Sequence, residues 1–119
     1  MTLSLAMVTL DTPDARSLAT WWARQTGGRL VDEADGWWCE VRTGEGDVVL
    51  GFQKVADPTP GKNRVHLDLG APDREAEVAR LVGEGATLVA EQRMGDFVWT
   101  TLADPDGNLF DVAEHPATD

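Results

Sequence analysis

The sequence predicts an α+β protein in which one unit, a strand followed by a helix and three more strands, occurs twice. The Leu-x-x-Pro-Asp pattern of residues 10–14 recurs at residues 69–73, at an offset of 59 (69 − 10 = 59). Around each copy, alternating apolar residues give way to an apolar stripe with helical spacing. A segment rich in Pro and Gly, residues 56–62, separates the copies. Because each unit is too small to be stable alone, we expect the two sheets to pair around a shared concave surface, the cup.

The first unit is predicted over residues 1–55. Residues 2–10 alternate as a strand, and Thr12, before Pro13, is the expected helix N-cap. The helix should end at the glycine pair 27–28. Its core stripe has the spacing i, i+3, i+4 and i+7: Ala15, Leu18, Ala19 and Trp22. Separated by turn residues, three strands are predicted to follow: 29–33, 37–43 and 47–55.

The second unit is predicted over residues 63–115, with 116–119 as a fraying tail. After a strand at 63–69, Pro72 suits the first position of a helix. The helix is predicted over 75–84, ending at Gly85, and three of its residues are predicted to face inward: Val78, Ala79 and Val82. Turn sequences delimit three further strands: 87–91, 97–103 and 108–114.

Composition limits the partners. The 119 residues suffice for one domain, and 21 acidic against 10 basic residues give a net charge of −11. That charge repels phosphate backbones and anionic lipid, so neither nucleic acid nor a membrane is expected as a partner. The single cysteine, Cys39, is expected to be a small core residue rather than a nucleophile. One cysteine and no apparent signal peptide or membrane span favour the cytoplasm.

Two polar and two aromatic positions stand out as candidates for a site. His66 and Asp68 alternate with apolar residues and therefore share one face of their strand. Counted from the turn glycines 46 and 107, Trp38 is equivalent to Trp99 (107 − 46 = 99 − 38 = 61), and both are predicted to face the cup. Flat aromatic walls suit a planar or apolar small molecule.

Three segments resemble the vicinal oxygen chelate superfamily, which includes glyoxalase I, extradiol dioxygenases and bleomycin-resistance proteins. They are RVHLDLGAPD at 64–73, EGATLV at 84–89 and LADPDGNLFDV at 102–112. The resemblance covers essentially the whole chain and is greatest to the glyoxalase-like domain proteins. It implies two paired βαβββ modules and a homodimer.

The resemblance also implies a ligand set for a divalent ion such as Zn, Ni, Mn or Fe. In metal-dependent members, the first and last strands of each unit supply the ligands, which here places His66, Asp111 and Gln53 at three positions. Met7 replaces the fourth ligand, and its thioether does not suit a hard ion. Asp111 is also shorter than the usual Glu. We therefore expect no cofactor.

The preferred hypothesis is a metal-free cup that binds, and sequesters, an antibiotic-like or aromatic compound. Its predicted ligand contacts are Trp38, Trp99, His66, Gln53, Asp111, Met7 and Arg64. One alternative is a divalent-metal-dependent lyase or isomerase of the glyoxalase type, with Glu40 as a proton shuttle. A second alternative is a structural or vestigial module that dimerises.

Overall fold

The computed structural model describes residues 5–44, 48–61 and 65–114. Within these ranges the order of one strand, one helix and three strands occurs twice, which confirms the predicted α+β class and the duplicated unit. The chain divides into two compact units, Met1–Thr59 and Pro60–Asp119. The exact unit limits, the linker and the joining of both units into one domain stay predictions.

The first unit is a four-stranded mixed sheet with one helix. Its elements are β1 (Val8–Thr12), α1 (Ala15–Thr26), β2 (Arg29–Asp32), β3 (Trp38–Arg42) and β4 (Val49–Lys54). The strand order is β1-β4-β3-β2, with β1 parallel to β4 and the other neighbours antiparallel. The sequence placed the start of the first strand earlier than the observed Val8.

The N-cap of α1 is Asp14, so the prediction of Thr12 was wrong by two residues. The Asp14 carboxylate accepts a hydrogen bond from the backbone N–H of Ser17 at 3.1 Å. Thr12 instead supports the cap residue, since its hydroxyl accepts a hydrogen bond from the backbone N–H of Asp14 at 3.1 Å. Gly27 ends the helix with φ 65°, as predicted, because glycine adopts this left-handed conformation without steric cost.

Indole forms much of the core of the first unit. Trp22 is only 1 % exposed, and it meets the ring of Trp21 edge to face with centroids 5.0 Å apart. Trp21 is also buried, although the helical pattern placed it beside the core stripe. Phe52 and Cys39, which are register partners on β4 and β3, are fully buried with them.

The second unit repeats this topology. Its elements are β5 (Leu67–Ala71), α2 (Arg74–Gly83), β6 (Thr87–Met94), β7 (Phe97–Ala103) and β8 (Leu109–Glu114). The strand order is β5-β8-β7-β6, with β5 parallel to β8. Strand β6 is longer than the predicted 87–91 because it pairs with β7 as far as the turn, with a register shift between Leu88 and Ala90.

Helix α2 begins later than Pro72. Asp73 is the N-cap, and its carboxylate accepts from the backbone N–H of Ala76 at 3.1 Å, so Pro72 precedes the cap. The two helices therefore start in the same way, with the aspartate of the repeated Leu-x-x-Pro-Asp pattern as the cap.

Within the described ranges, no helix is long and apolar enough to cross a membrane.

The inward face of α2 also differs from the prediction. Arg74 and Leu81 are buried, Val78 is half-buried, and Ala79 and Val82 are exposed. The stripe follows positions i, i+4 and i+7 from the first helical residue. An arginine can occupy it because its guanidinium donates to the hydroxyl of Thr100 at 2.7 Å and lies 3.2 Å from a carboxylate oxygen of Glu91.

Candidate ligand-binding site

One face of the second sheet lines a pocket of about 940 Å³. The buried bond from Arg74 to Thr100 places Thr100 on the α2 face. Its neighbours Trp99 and Thr101 therefore lie on the opposite face, where both line the pocket. Apolar and aromatic residues make up most of the wall: Leu69, Val89, Met94, Phe97, Trp99, Leu109 and Ala113. The polar lining residues are His66, Asp68, Gln92, Thr101 and Asp111.

Two rings form the aromatic wall of this pocket. The centroids of Phe97 and Trp99 are 5.6 Å apart and their planes are inclined by 31°. Phe97 and Met94 are largely exposed to solvent, at 57 % and 74 %. Large apolar side chains that face water in one cavity indicate a surface available for a ligand.

The polar end of the pocket is built on His66, Asp68 and Asp111, which we call the carboxylate–histidine cluster. Nδ1 of His66 lies 3.2 Å from Oδ1 of Asp68 and 3.2 Å from Oδ2 of Asp111. The other oxygen of Asp111 accepts a hydrogen bond from the Thr101 hydroxyl at 2.6 Å. An ionised carboxylate only accepts, so Nδ1 of His66 can donate to these oxygens when it carries the proton and can share an ion with them when it does not. Nε2 is then the ring nitrogen left for other chemistry.

The structure brings together two of the residues that the resemblance assigned to a metal, His66 and Asp111. It adds Asp68, which the predicted ligand set did not include. The signal for Asp68 was present in the sequence, since it shares a strand face with His66. What the sequence lacked was the register, which places Asp68 directly opposite Asp111 on neighbouring strands.

In the first unit, Trp38 is held by Glu40. The indole Nε1 of Trp38 donates to Oε2 of Glu40 at 3.0 Å, and Oε1 of Glu40 lies 3.4 Å from the guanidinium of Arg42. Gln53 is the register partner of Trp38 on the adjacent strand, so the two share a face. Glu40 thus fixes the orientation of the indole, and its predicted role as a proton shuttle stays a prediction.

Gly51 leaves room for the Trp38 ring. A methyl group at position 51 would lie 2.8 Å from the Cη2 atom of Trp38, 3.0 Å from the sulfur of Met7 and 3.0 Å from the Thr9 hydroxyl. The indole therefore lies directly over the glycine, with the Met7 thioether close by. Met7 packs in this contact, as befits a polarisable apolar side chain.

Two other sequence candidates have simple outcomes. Cys39 is fully buried, and burial raises the pKa of its thiol, which opposes formation of a thiolate. It is a core residue. Arg64 lies outside the described residues, so its predicted ligand contact stays a prediction.

The LADPDGNLFDV segment owes its form to Asp104. This buried carboxylate accepts hydrogen bonds from the backbone N–H groups of Asp106 and Asn108, each at 2.9 Å, and from the Asn108 side chain. The turn joins β7 to β8 and sets their register, in which Thr101 stands opposite Asp111. The turn itself does not line the pocket, but it positions Leu109 and Asp111 of the same segment, which do.

Residues 7–113 match the family model of the glyoxalase-like domain. The chain belongs to the glyoxalase-like domain family. This membership confirms the resemblance to the vicinal oxygen chelate superfamily. No curated protein matches this glyoxalase-like domain.

Solved structures show the same fold. An antibiotic binding protein, TnmS3 from Streptomyces sp. CB03234, has a TM-score of 0.71 and 21% identity, over 98% of this chain and 99% of that one. A fosfomycin resistance protein, FosX from Listeria monocytogenes, complexed with Mn(II) and 1S,2S-dihydroxypropylphosphonic acid, has a TM-score of 0.78 and 13% identity, over 95% and 90%. A lactoylglutathione lyase from Agrobacterium tumefaciens has a TM-score of 0.70 and 16% identity, over 95% and 94%.

Proposed function

We propose that this protein binds a small organic molecule in the pocket of the second unit and sequesters it. The observation that carries the proposal is a mostly apolar cavity with an aromatic wall at Phe97 and Trp99 and a compact polar cluster. This combination is typical of ligand sites, in which apolar area supplies affinity and a few polar groups set orientation. An antibiotic binding protein of the same fold, TnmS3, supports an antibiotic-like compound as the ligand.

The polar groups of the pocket are already oriented without a ligand. Thr101 and His66 hold the two oxygens of Asp111, so this carboxylate is fixed before binding. Nε2 of His66 and the amide of Gln92, which also lines the pocket, supply further hydrogen-bonding groups. Preorganisation of this kind raises affinity because less conformational entropy is lost on binding. The predicted ligand contacts of Trp38, Gln53 and Met7 stay predictions.

Replacing Trp99 with alanine is expected to weaken binding by about 30-fold, equivalent to about 2 kcal/mol for loss of an aromatic anchor. The measurement is a screen of planar aromatic compounds by indole fluorescence, followed by calorimetry of the strongest binder with each variant. Trp37→Ala is the matched control, since Trp37 is 61 % exposed and does not line the pocket. Unchanged affinity in Trp99→Ala would contradict the proposed site. Adding a chelator to the unsubstituted protein should not alter its affinity for the compound.

A divalent cation is the second candidate ligand, because the carboxylate–histidine cluster offers three donor atoms within 4.8 Å of one another. Ligand atoms that share an ion at about 2.1 Å lie roughly 3.0–3.4 Å apart, and the two Nδ1-to-oxygen distances are 3.2 Å. One imidazole and two carboxylates suit Zn, Mn or Fe. With no proton on Nδ1, two of the three donor separations therefore fit a shared ion, and the two carboxylate donor atoms lie within 4.8 Å of each other. Bound there, an ion would supply Lewis-acid chemistry for a glyoxalase-type lyase or isomerase.

Metal content tests this second candidate. If the cluster holds an ion, protein dialysed against Zn²⁺, Mn²⁺, Ni²⁺ or Fe²⁺ should retain near-stoichiometric metal, and His66→Ala should lose it, because two aspartates alone bind weakly. Elemental analysis of both proteins after gel filtration gives the answer. Stoichiometric metal in His66→Ala would overturn the assignment, and no metal in either protein would leave the organic-ligand proposal in place.

A purely structural role has less support. That hypothesis expects the sheet face to be filled by its own tryptophans, whereas the face of the second sheet carries a cavity that His66 lines.

The homodimer implied by the family resemblance and the cytoplasmic location stay predictions. Light scattering on the purified protein would test the dimer.

A further inference from the structure

We infer that the ligand of this pocket is an organic cation, an aromatic ring system that carries an ammonium group. The inference rests on the proposed function, because it specifies the chemical class of the molecule that the same pocket binds. Two independent features carry it: the charge of the lining and the position of the aromatic wall within the same cavity.

The described lining of the pocket is negative. Asp68 and Asp111 both line it, and none of its described lining residues is Lys or Arg. If His66 carries one proton, the carboxylate–histidine cluster has a charge of −2 with both carboxylates ionised, and if His66 carries two protons the charge is −1. The sign is the same in either state. An ammonium group entering the cavity is therefore attracted, and a carboxylate, phosphate or phosphonate is repelled.

Asp68 is the carboxylate that is free to meet the ligand. Its side chain is 73 % exposed, and its contact in the described part of the chain is the one to Nδ1 of His66. Asp111, by contrast, is 16 % exposed and uses one oxygen for Thr101 and the other for His66. An incoming ammonium group can pair with Asp68 without breaking the bonds that hold Asp111.

The aromatic wall favours the same ligand class. The negative faces of indole and phenyl rings attract cations, and their area accommodates a flat apolar body. Trp99 and Phe97 provide two such rings in the cavity that Asp68 lines. A neutral aromatic compound would use only the wall, and a small inorganic cation would use only the carboxylates. An aromatic amine uses both.

Three probes with one ring system separate these possibilities: naphthylmethylammonium, naphthylmethanol and naphthoate. Each is titrated into the full chain in the presence of EDTA, and binding is followed by NMR through the indole N–H of Trp99 and the methyl of Met94. We expect the ammonium probe to bind at least about tenfold more tightly than the alcohol, equivalent to about 1.4 kcal/mol. Naphthoate should bind most weakly.

Two variants of equal charge assign the effect to the pocket. Asp68→Asn should reduce the preference for the ammonium probe to roughly threefold or less, since one of the two carboxylates is lost. Asp57→Asn removes an exposed carboxylate outside the pocket and should leave the preference unchanged. Circular dichroism checks that both variants fold. A third variant, Trp99→Leu, should weaken the binding of both the ammonium probe and the alcohol probe, followed through the Met94 methyl.

The outcomes distinguish the inference from the proposed function. Equal binding of the ammonium and alcohol probes at Trp99, or preferred binding of naphthoate, would overturn the cationic ligand and leave small-molecule binding intact. Equal loss of preference in Asp68→Asn and Asp57→Asn would also overturn it, because the effect would then come from net charge. If none of the probes perturbs Trp99 or Met94 at millimolar concentration, both the inference and the proposed pocket fail.

Discussion

Replacing Trp22 with alanine is expected to lower the free energy of unfolding by about 3–5 kcal/mol. Trp22 is 1 % exposed and packs edge to face on Trp21 in the core of the first unit. Truncation removes most of its apolar contact area and leaves a cavity that the surrounding helix and sheet fill only in part. Total stabilities of about 5–15 kcal/mol are typical, so this loss would be a large share. Urea unfolding followed by circular dichroism measures it.

Trp37→Ala is the matched control for this experiment. Trp37 is largely exposed, and the ammonium group of Lys54 lies 4.7 Å from the centroid of its ring. A cation–π contact at an exposed position contributes about 0.5–1 kcal/mol, so the loss of stability should be no larger than that. Equal destabilisation by the two substitutions would show that the assignment of Trp22 to the core is wrong.

Replacing Asp104 with alanine is expected to cost about 2–3 kcal/mol of stability and to weaken ligand binding as well. The Asp104 carboxylate accepts from two backbone N–H groups and from the Asn108 side chain, and bonds to a charged group are stronger than neutral ones. Without them the turn between β7 and β8 loosens. The register that sets Thr101 against Asp111 then loses its support at the turn end.

The control for Asp104 is Asp96→Ala in the other hairpin turn of the second unit. Asp96 is exposed in the turn between β6 and β7, so its removal should change stability by no more than about 0.5 kcal/mol. Thermal unfolding of both variants measures the loss of stability. The NMR resonances of Asp111 report whether its contact with the Thr101 hydroxyl persists. Full stability in Asp104→Ala would mean that water replaces the carboxylate in the turn.

The two tryptophans that the repeat makes equivalent have different surroundings. Trp38 lies over Gly51, and its indole N–H is already bonded to Glu40. Trp99 pairs instead with the ring of Phe97 beside the carboxylate–histidine cluster. Trp38 is therefore a fixed apolar wall. Trp99 lines the pocket together with the carboxylate–histidine cluster. Substitution of Trp99 is therefore expected to have the largest effect on ligand binding.

The sequence alone was sufficient to predict the class of fold. Alternation with period two and stripes with period 3.6 are local properties of the chain, so the order of strands and helices was predictable. The repeated Leu-x-x-Pro-Asp pattern indicated the duplication, and the turn residues before β8 were recognisable from their chemistry. Errors occurred at the ends of elements, as at Thr12 and Pro72, because a cap depends on which side chain meets which backbone N–H.

Tertiary structure decided the composition of the site. His66 and Asp68 were visible as a pair on one strand face, but only the register of β5 against β8 sets Asp111 opposite Asp68. The inward face of α2 was likewise decided by contacts, since a buried Arg74 is acceptable only with Thr100 and Glu91 in place. A polar group in the interior depends on partners distant in sequence, whereas an apolar stripe depends only on spacing. For that reason the sequence predicted the scaffold, and the folded chain determined which charges meet.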